Sequence, residues 1–237
     1  MADSTPHPTP APDTAIPAAF VDAARQLFGD RLALAERYAE LLATEGTLRG
    51  LLGPRETPRL WDRHLINCAV LAELIPSGAV VADVGSGAGL PGIVLGVARP
   101  DLSVILVESL ERRATFLSEV VDELKLDRVT VLRGRAEEVV GRIGAVEVVT
   151  ARAVAPLDRL ARWCLPLLPT GGRLLAMKGA SAAEEIAAHG AQVSRAGGGE
   201  PRLVQCGVGL VEPPATVIEV TRQRAAEGKK KRGRGRT

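Results

Sequence analysis

The chain has 237 residues, 46% hydrophobic and 24% charged, with a formal net charge of +2. These are the proportions of a folded globular protein, and the length suits one domain of roughly 200 residues with extensions. Three cysteines (Cys68, Cys164, Cys206) without a Cys-x-x-Cys pair support neither a disulfide framework nor a zinc site. No apolar run reaches the ~18 residues of a membrane span, and the opening MADSTPHPTPAPDT lacks the basic and apolar regions of a secretory signal. A reduced, cytoplasmic protein with no metal and no membrane contact is expected; nothing demands an oligomer, so it is expected to be a monomer. The small net charge is an average. Of 30 Lys/Arg and 28 Asp/Glu, eight bases and one acid lie in residues 222–237. An acidic-leaning body with a basic tail points to a polyanionic partner.

Residues 1–17 hold five of the 16 prolines and read as a flexible extension. Residues 18–78 read as helices. Apolar residues recur at helical spacing from Phe20 to Leu52, with a break expected at Gly29-Asp30. A second helix is expected from Thr57, with Pro58 in its first turn, to Ile75 before Pro76. At Ala79 the period changes. Short β-branched runs follow at 80–87, 103–108, 129–134, 146–153, 173–179 and 216–222, with a weaker one at 203–208. Helical stretches separate most of them, at 90–98, 111–125, 136–141, 156–165 and 181–188. Strand alternating with helix predicts a Rossmann-like α/β fold over 79–222: a doubly wound, mostly parallel sheet with helices on both faces. The last two runs lack an intervening helix and are expected to pair antiparallel. Residues 223–237 are expected to be a disordered basic tail.

In such a sheet, ligands bind beyond the carboxyl ends of the strands. The first strand ends there in Asp83-Val84-Gly85-Ser86-Gly87-Ala88-Gly89-Leu90-Pro91-Gly92. The glycines permit positive φ and close backbone approach, and the next helix aims free N–H groups at the same place. Residues 87–92 match the dinucleotide pattern G-x-G-x-x-G, whereas 83–89 match D-x-G-x-G-x-G, the loop of S-adenosylmethionine (SAM) methyltransferases. Asp83 favours the second: its carboxylate would repel a pyrophosphate, and SAM has none. Glu108, ending the second strand 25 residues after Asp83, is placed to accept hydrogen bonds from ribose hydroxyls, whichever nucleotide binds. Ala136 and Glu137, after the third strand, stand where adenine is contacted. A simple helix-start acid is an equal reading of Glu137. The fourth strand ends in Thr150-Ala151-Arg152-Ala153, with no Asn-Pro-Pro-Tyr for an exocyclic amine and no cysteine pair for pyrimidine carbon. Arg152 is a cation suited to phosphate or guanine, or to a structural salt bridge.

Taken together, Arg63-His64-Leu65, DVGSGAGLPGI (83–93), Glu108-Ser109 with Arg113, FLSEVVDELKLDRV (116–129), GRAEE (134–138), TARA (150–153) and AMKG (176–179) resemble a known family in order and spacing. It is the bacterial small-subunit rRNA guanine-N7 methyltransferase family of the glucose-inhibited-division type. The resemblance covers roughly residues 20–222. It implies a class I SAM-dependent fold, SAM as cofactor, and a guanine N7 of 16S rRNA as acceptor. It implies SAM contacts at Asp83, Gly85, Gly87, Leu90, Glu108, Ala136, Glu137 and Arg152, the last also as the catalytic residue. Arg152 would lie beside the methyl-transfer centre, and Arg63, His64, Arg113 and Lys178 would line the RNA-facing mouth. For His64 a packed core role is the competing expectation. Methylation of another RNA or a small molecule, NAD-dependent oxidoreduction and non-enzymatic RNA binding are the alternatives.

Overall fold

The computed structural model describes residues 14–53 and 55–226. Seven strands form one sheet: β1 (Val80–Val84), β2 (Ser103–Glu108), β3 (Val129–Arg133), β4 (Val148–Arg152), β5 (Arg173–Lys178), β6 (Arg202–Cys206) and β7 (Ala215–Thr221). Their order is β3-β2-β1-β4-β5-β7-β6. The first five are parallel; β7 runs antiparallel between β5 and β6. The chain winds one way from β1 to β3 and the other way from β4, so the switch point lies at the carboxyl ends of β1 and β4.

Side-chain alternation along each strand divides the core into two layers. Val81, Val104, Leu106, Val148 and Leu175 face one cluster, and Ala82, Val107, Val149, Leu174 and Ala176 face the other. The first layer is covered by α1 (Val21–Phe28), α2 (Leu32–Leu41), a helical segment α3 (residues 57–74), α4 (Gly92–Ala98) and α5 (Glu111–Glu123). The second is covered by α6 (Ala136–Val139), α7 (Leu157–Cys164) and α8 (Ala182–Arg195). Strand parity therefore decides which helices each site residue meets. Asp83, Glu108, Thr150 and Arg152 share parity with the first set; Lys178 shares parity with the second.

The N-terminal helices are less regular than their spacing suggests. Residues 42–46 and 60–66 are wound wider than an α-helix, and 57–59 and 70–74 are wound tighter. The expected break at Gly29 is present: its φ of 50° ends α1. α8 runs on past the expected residue 188 through Gly190 to Arg195, because Val193 is buried on its inner face. The ordered fold also begins before residue 18. The Thr14 carbonyl accepts a hydrogen bond from Trp61 Nε1 at 2.8 Å, and Ile16 packs on the core. At the other end, Gln223 N still donates to Gly197 O at 2.9 Å. The expected flexible segments beyond these points, 1–13 and 227–237, lie outside the described residues. Among the described residues, no helix is long and apolar enough to cross a membrane, and no His/Cys/Asp/Glu group is arranged to hold a metal ion.

Candidate active site

The glycine loop joins β1 to α4 and is held from three sides. Gly85 N donates to Val107 O at 2.8 Å, and Gly87 N donates to the Glu108 carboxylate at 2.9 Å. From the N-terminal layer, the Tyr38 hydroxyl donates to Ala88 O at 2.7 Å. The other oxygen of Glu108 accepts from Leu110 N at 2.9 Å. Glu108 is 3% exposed, so these charge-assisted bonds to an otherwise costly buried carboxylate are worth about 1.5–3 kcal/mol each. Each oxygen accepts one of these bonds and keeps a lone pair for a further donor.

Asp83 is fully buried and lines none of the site cavities. Its two oxygens accept from Thr150 Oγ1 at 3.0 Å and from Gly92 N at 3.1 Å. Burial pushes its carboxyl up to about 6, against the hydrogen bonds that pull it down. Asp83 therefore ties β4 and the start of α4 to the end of β1. Gly92 accommodates this approach, since a Cβ there would run into Leu106 and stand 2.8 Å from the Asp83 carboxylate.

Three cavities line the carboxyl edge. A cavity of about 270 Å³ lies between Val84, Gly134, Ala136, Glu137 and Trp163. A central one of about 410 Å³ is bounded by Gly87, Leu90, Glu108, Arg113, His64 and Arg152. The third, about 640 Å³, is bounded by Arg63, Asn67, Arg152, Pro156, Lys178 and Glu185. Gly85 lines the first two, Arg152 the last two, and Val154 all three. Gly85 adopts φ +72°, and a Cβ on it would come within 2.9 Å of Val154. Ala153 holds φ 52°, an uncommon value for a residue with a side chain, and Val154 follows it over the loop.

The expected residues divide accordingly. Gly85, Gly87, Leu90 and Glu108 line the central cavity, and Ala136 and Glu137 the smaller one. Arg113 reaches the central cavity with its Nε buried and without a hydrogen-bond partner; its Nη1 stands 3.9 Å from Glu108. Arg63 is half-exposed at the third cavity. Lys178 lines that cavity too, where its ammonium donates to Glu185 at 2.7 Å and to Ala155 O at 2.9 Å. Parity explains this, because Lys178 points to the α8 face. Arg152 Nη1 donates to Cys68 Sγ at 2.9 Å, and its Nη2 lies 2.6 Å from His64 Nδ1. His64 is 5% exposed; burial first, and Arg152 second, lower its pKa to about 4, so it is neutral at pH 7. Tyr38, Glu56, Val154, Trp163 and Glu185 were not singled out by sequence. Each reads as an ordinary helix or loop position, and only long-range packing brings it here.

A family model described as rRNA small subunit methyltransferase G matches residues 31–209. The chain belongs to this family. The match runs from the start of α2 through β6 and contains every site residue named above. Relatives named ribosomal RNA small subunit methyltransferase G agree over nearly the whole chain. The one from Salinispora arenicola is 63% identical, covering 93% of this chain and 96% of its own. The one from Corynebacterium efficiens is 52% identical, covering 94% and 100%. Among solved structures, the mitomycin 7-O-methyltransferase MmcR superposes with a TM-score of 0.56 at 20% identity, over 78% of this chain and 60% of that one. A predicted O-methyltransferase from Agrobacterium tumefaciens gives 0.51 at 18% identity, over 68% and 82%. These two share the class I methyltransferase fold with the rRNA small subunit methyltransferase G family.

Proposed function

We propose that this methyltransferase uses SAM to methylate N7 of a guanine in 16S rRNA of the small ribosomal subunit. The observation that carries the reading is the row of three adjoining cavities, in which a glycine-walled nucleoside end neighbours a cation-lined acceptor end, with Arg152 and Val154 shared between them. The residues present fit SAM. Glu108 keeps acceptor capacity for ribose hydroxyls, and Trp163 and Ala136 offer apolar surface to adenine. They do not favour a dinucleotide. The Asp83 carboxylate already occupies Gly92 N and puts negative charge where a pyrophosphate would need the helix start.

When bound, SAM supplies an electrophilic methyl group on its sulfonium. Guanine N7 carries an in-plane lone pair, so the acceptor needs no deprotonation and the site needs no general base. Among the described residues around Arg152, Glu185 is paired with Lys178 and Glu108 accepts from backbone amides. His64 has both ring nitrogens engaged, and a guanidinium does not give up its proton. The task of the residues is alignment and exclusion of water. Arg152 has three N–H groups beyond the two bonded to His64 and Cys68, enough to hold guanine O6 or a neighbouring phosphate.

Transfer of tritium from labelled SAM tests the reading. Small subunits, naked 16S rRNA and total protein are offered in parallel, with SAM and NADH titrated by calorimetry. Binding of SAM alone and label in 16S rRNA are expected. Label confined to protein, or NADH binding in place of SAM, contradicts the reading.

A further inference from the structure

The Arg152 guanidinium does not stand alone at the acceptor cavity; it ends a chain of hydrogen bonds that begins outside it. A guanidinium can only donate, so the 2.6 Å contact makes His64 Nδ1 the acceptor. A neutral imidazole with an accepting Nδ1 carries its proton on Nε2. That Nε2 lies 2.7 Å from Glu56 and donates to it. The second oxygen of Glu56 accepts from Arg63 Nη1 at 3.0 Å. One carboxylate, in the short connection before α3, therefore orients both the imidazole behind Arg152 and the guanidinium at the cavity rim. Cys68, one turn beyond His64 on α3, supplies the remaining contact to Arg152.

We propose that Glu56 and His64 act as positioning residues, forming a relay that fixes the Arg152 guanidinium at the junction of the cofactor and acceptor cavities. The proposal rests on the reading of Arg152 as the residue that holds the acceptor. The physical reason is rotamer freedom. A long arginine at a strand end keeps many conformers, and ordering it on binding costs side-chain entropy. Bonds already made to His64 and Cys68 hold it in place before RNA arrives. Misplacement by about 1 Å at such a centre costs about a hundredfold in rate. The burial that lowers the pKa of His64 supports the relay, because a neutral ring is the form that can accept from Arg152 and donate to Glu56 at once.

The test combines kinetics with a direct reading of the tautomer in the full chain. In Glu56→Ala, turnover on small subunits is expected to fall about tenfold or more, with SAM affinity within twofold of wild type. Glu56→Gln, which keeps an acceptor oxygen, is expected to recover part of the loss. In an Arg152→Lys background, Glu56→Ala is expected to cause no further loss. Nitrogen-15 NMR of the wild-type protein without RNA is expected to show His64 protonated on Nε2 and bare on Nδ1. Unchanged turnover in Glu56→Ala, an equal loss in both backgrounds, or a proton on Nδ1 overturns the relay. Failure of the parent reading looks different: a wild-type protein that binds SAM but leaves 16S rRNA unlabelled refutes the acceptor, while the tautomer is read without any acceptor present.

Discussion

The two halves of the proposed site are built by different means. The cofactor half is centred on a backbone loop: amides and carbonyls of residues 85–92 are pinned by Val107 O, Glu108 and Tyr38, and a side chain at Gly92 has no room. The acceptor half is made of long side chains from separate elements. Arg152 of β4 leans on α3, Lys178 of β5 leans on α8, and Arg63 leans on Glu56. A backbone site tolerates almost no substitution because close packing defines it. A side-chain site can keep its shape while losing its chemistry. Changes in the first half should thus show in SAM binding and stability, and changes in the second in turnover.

The largest expected effect on the fold and on SAM binding is that of Gly92→Ala. Its Cβ meets Leu106 and the Asp83 carboxylate in a packed core, which should destabilise the fold by about 1–3 kcal/mol and weaken SAM binding at least tenfold; thermal melts and calorimetry read both. Arg152→Ala should lower turnover on small subunits about a hundredfold, with the fold retained and SAM affinity little changed. Loss of SAM binding and turnover in equal measure would erase the distinction between the halves.

Asp83→Asn sharpens the comparison through pH. Burial raises the carboxyl from 3.8 to about 6 in the folded state. Between those values the unfolded chain has released its proton and the folded chain has not, so wild-type stability falls as pH rises through that window. Asparagine does not ionise. Its stability relative to wild type should therefore rise from pH 4 to pH 6 and level off above, as followed by urea denaturation. The smallest effect is expected from deleting 227–237, a segment with six Lys/Arg and one Glu. RNA binding should weaken and its salt dependence flatten, with SAM affinity unchanged.

The same contrast explains what was legible in the sequence. The alternation of β1 to β5 with helices, the glycine loop and Glu108 were readable because they depend on local period and on backbone conformations that glycine favours. Asp83 was recognisable as special, but its direction was not. Whether it faces the ligand or the start of α4 depends on which layer covers that side of β1. Lys178 shows the same gap. Its spacing from Leu174 and Ala176 fixes its face relative to theirs, yet only the packed helices reveal that this face meets Glu185. Glu56 carries no local signal, because its meaning lies in a histidine eight residues on and an arginine in another strand.

The chemical position of the transferred methyl tests the whole account most directly. 16S rRNA is recovered from small subunits incubated with the protein and labelled SAM, digested to nucleosides and separated by chromatography. The account predicts label in 7-methylguanosine at a single site. Label in a methylated adenosine or pyrimidine, in ribose, or spread over many guanines would contradict it.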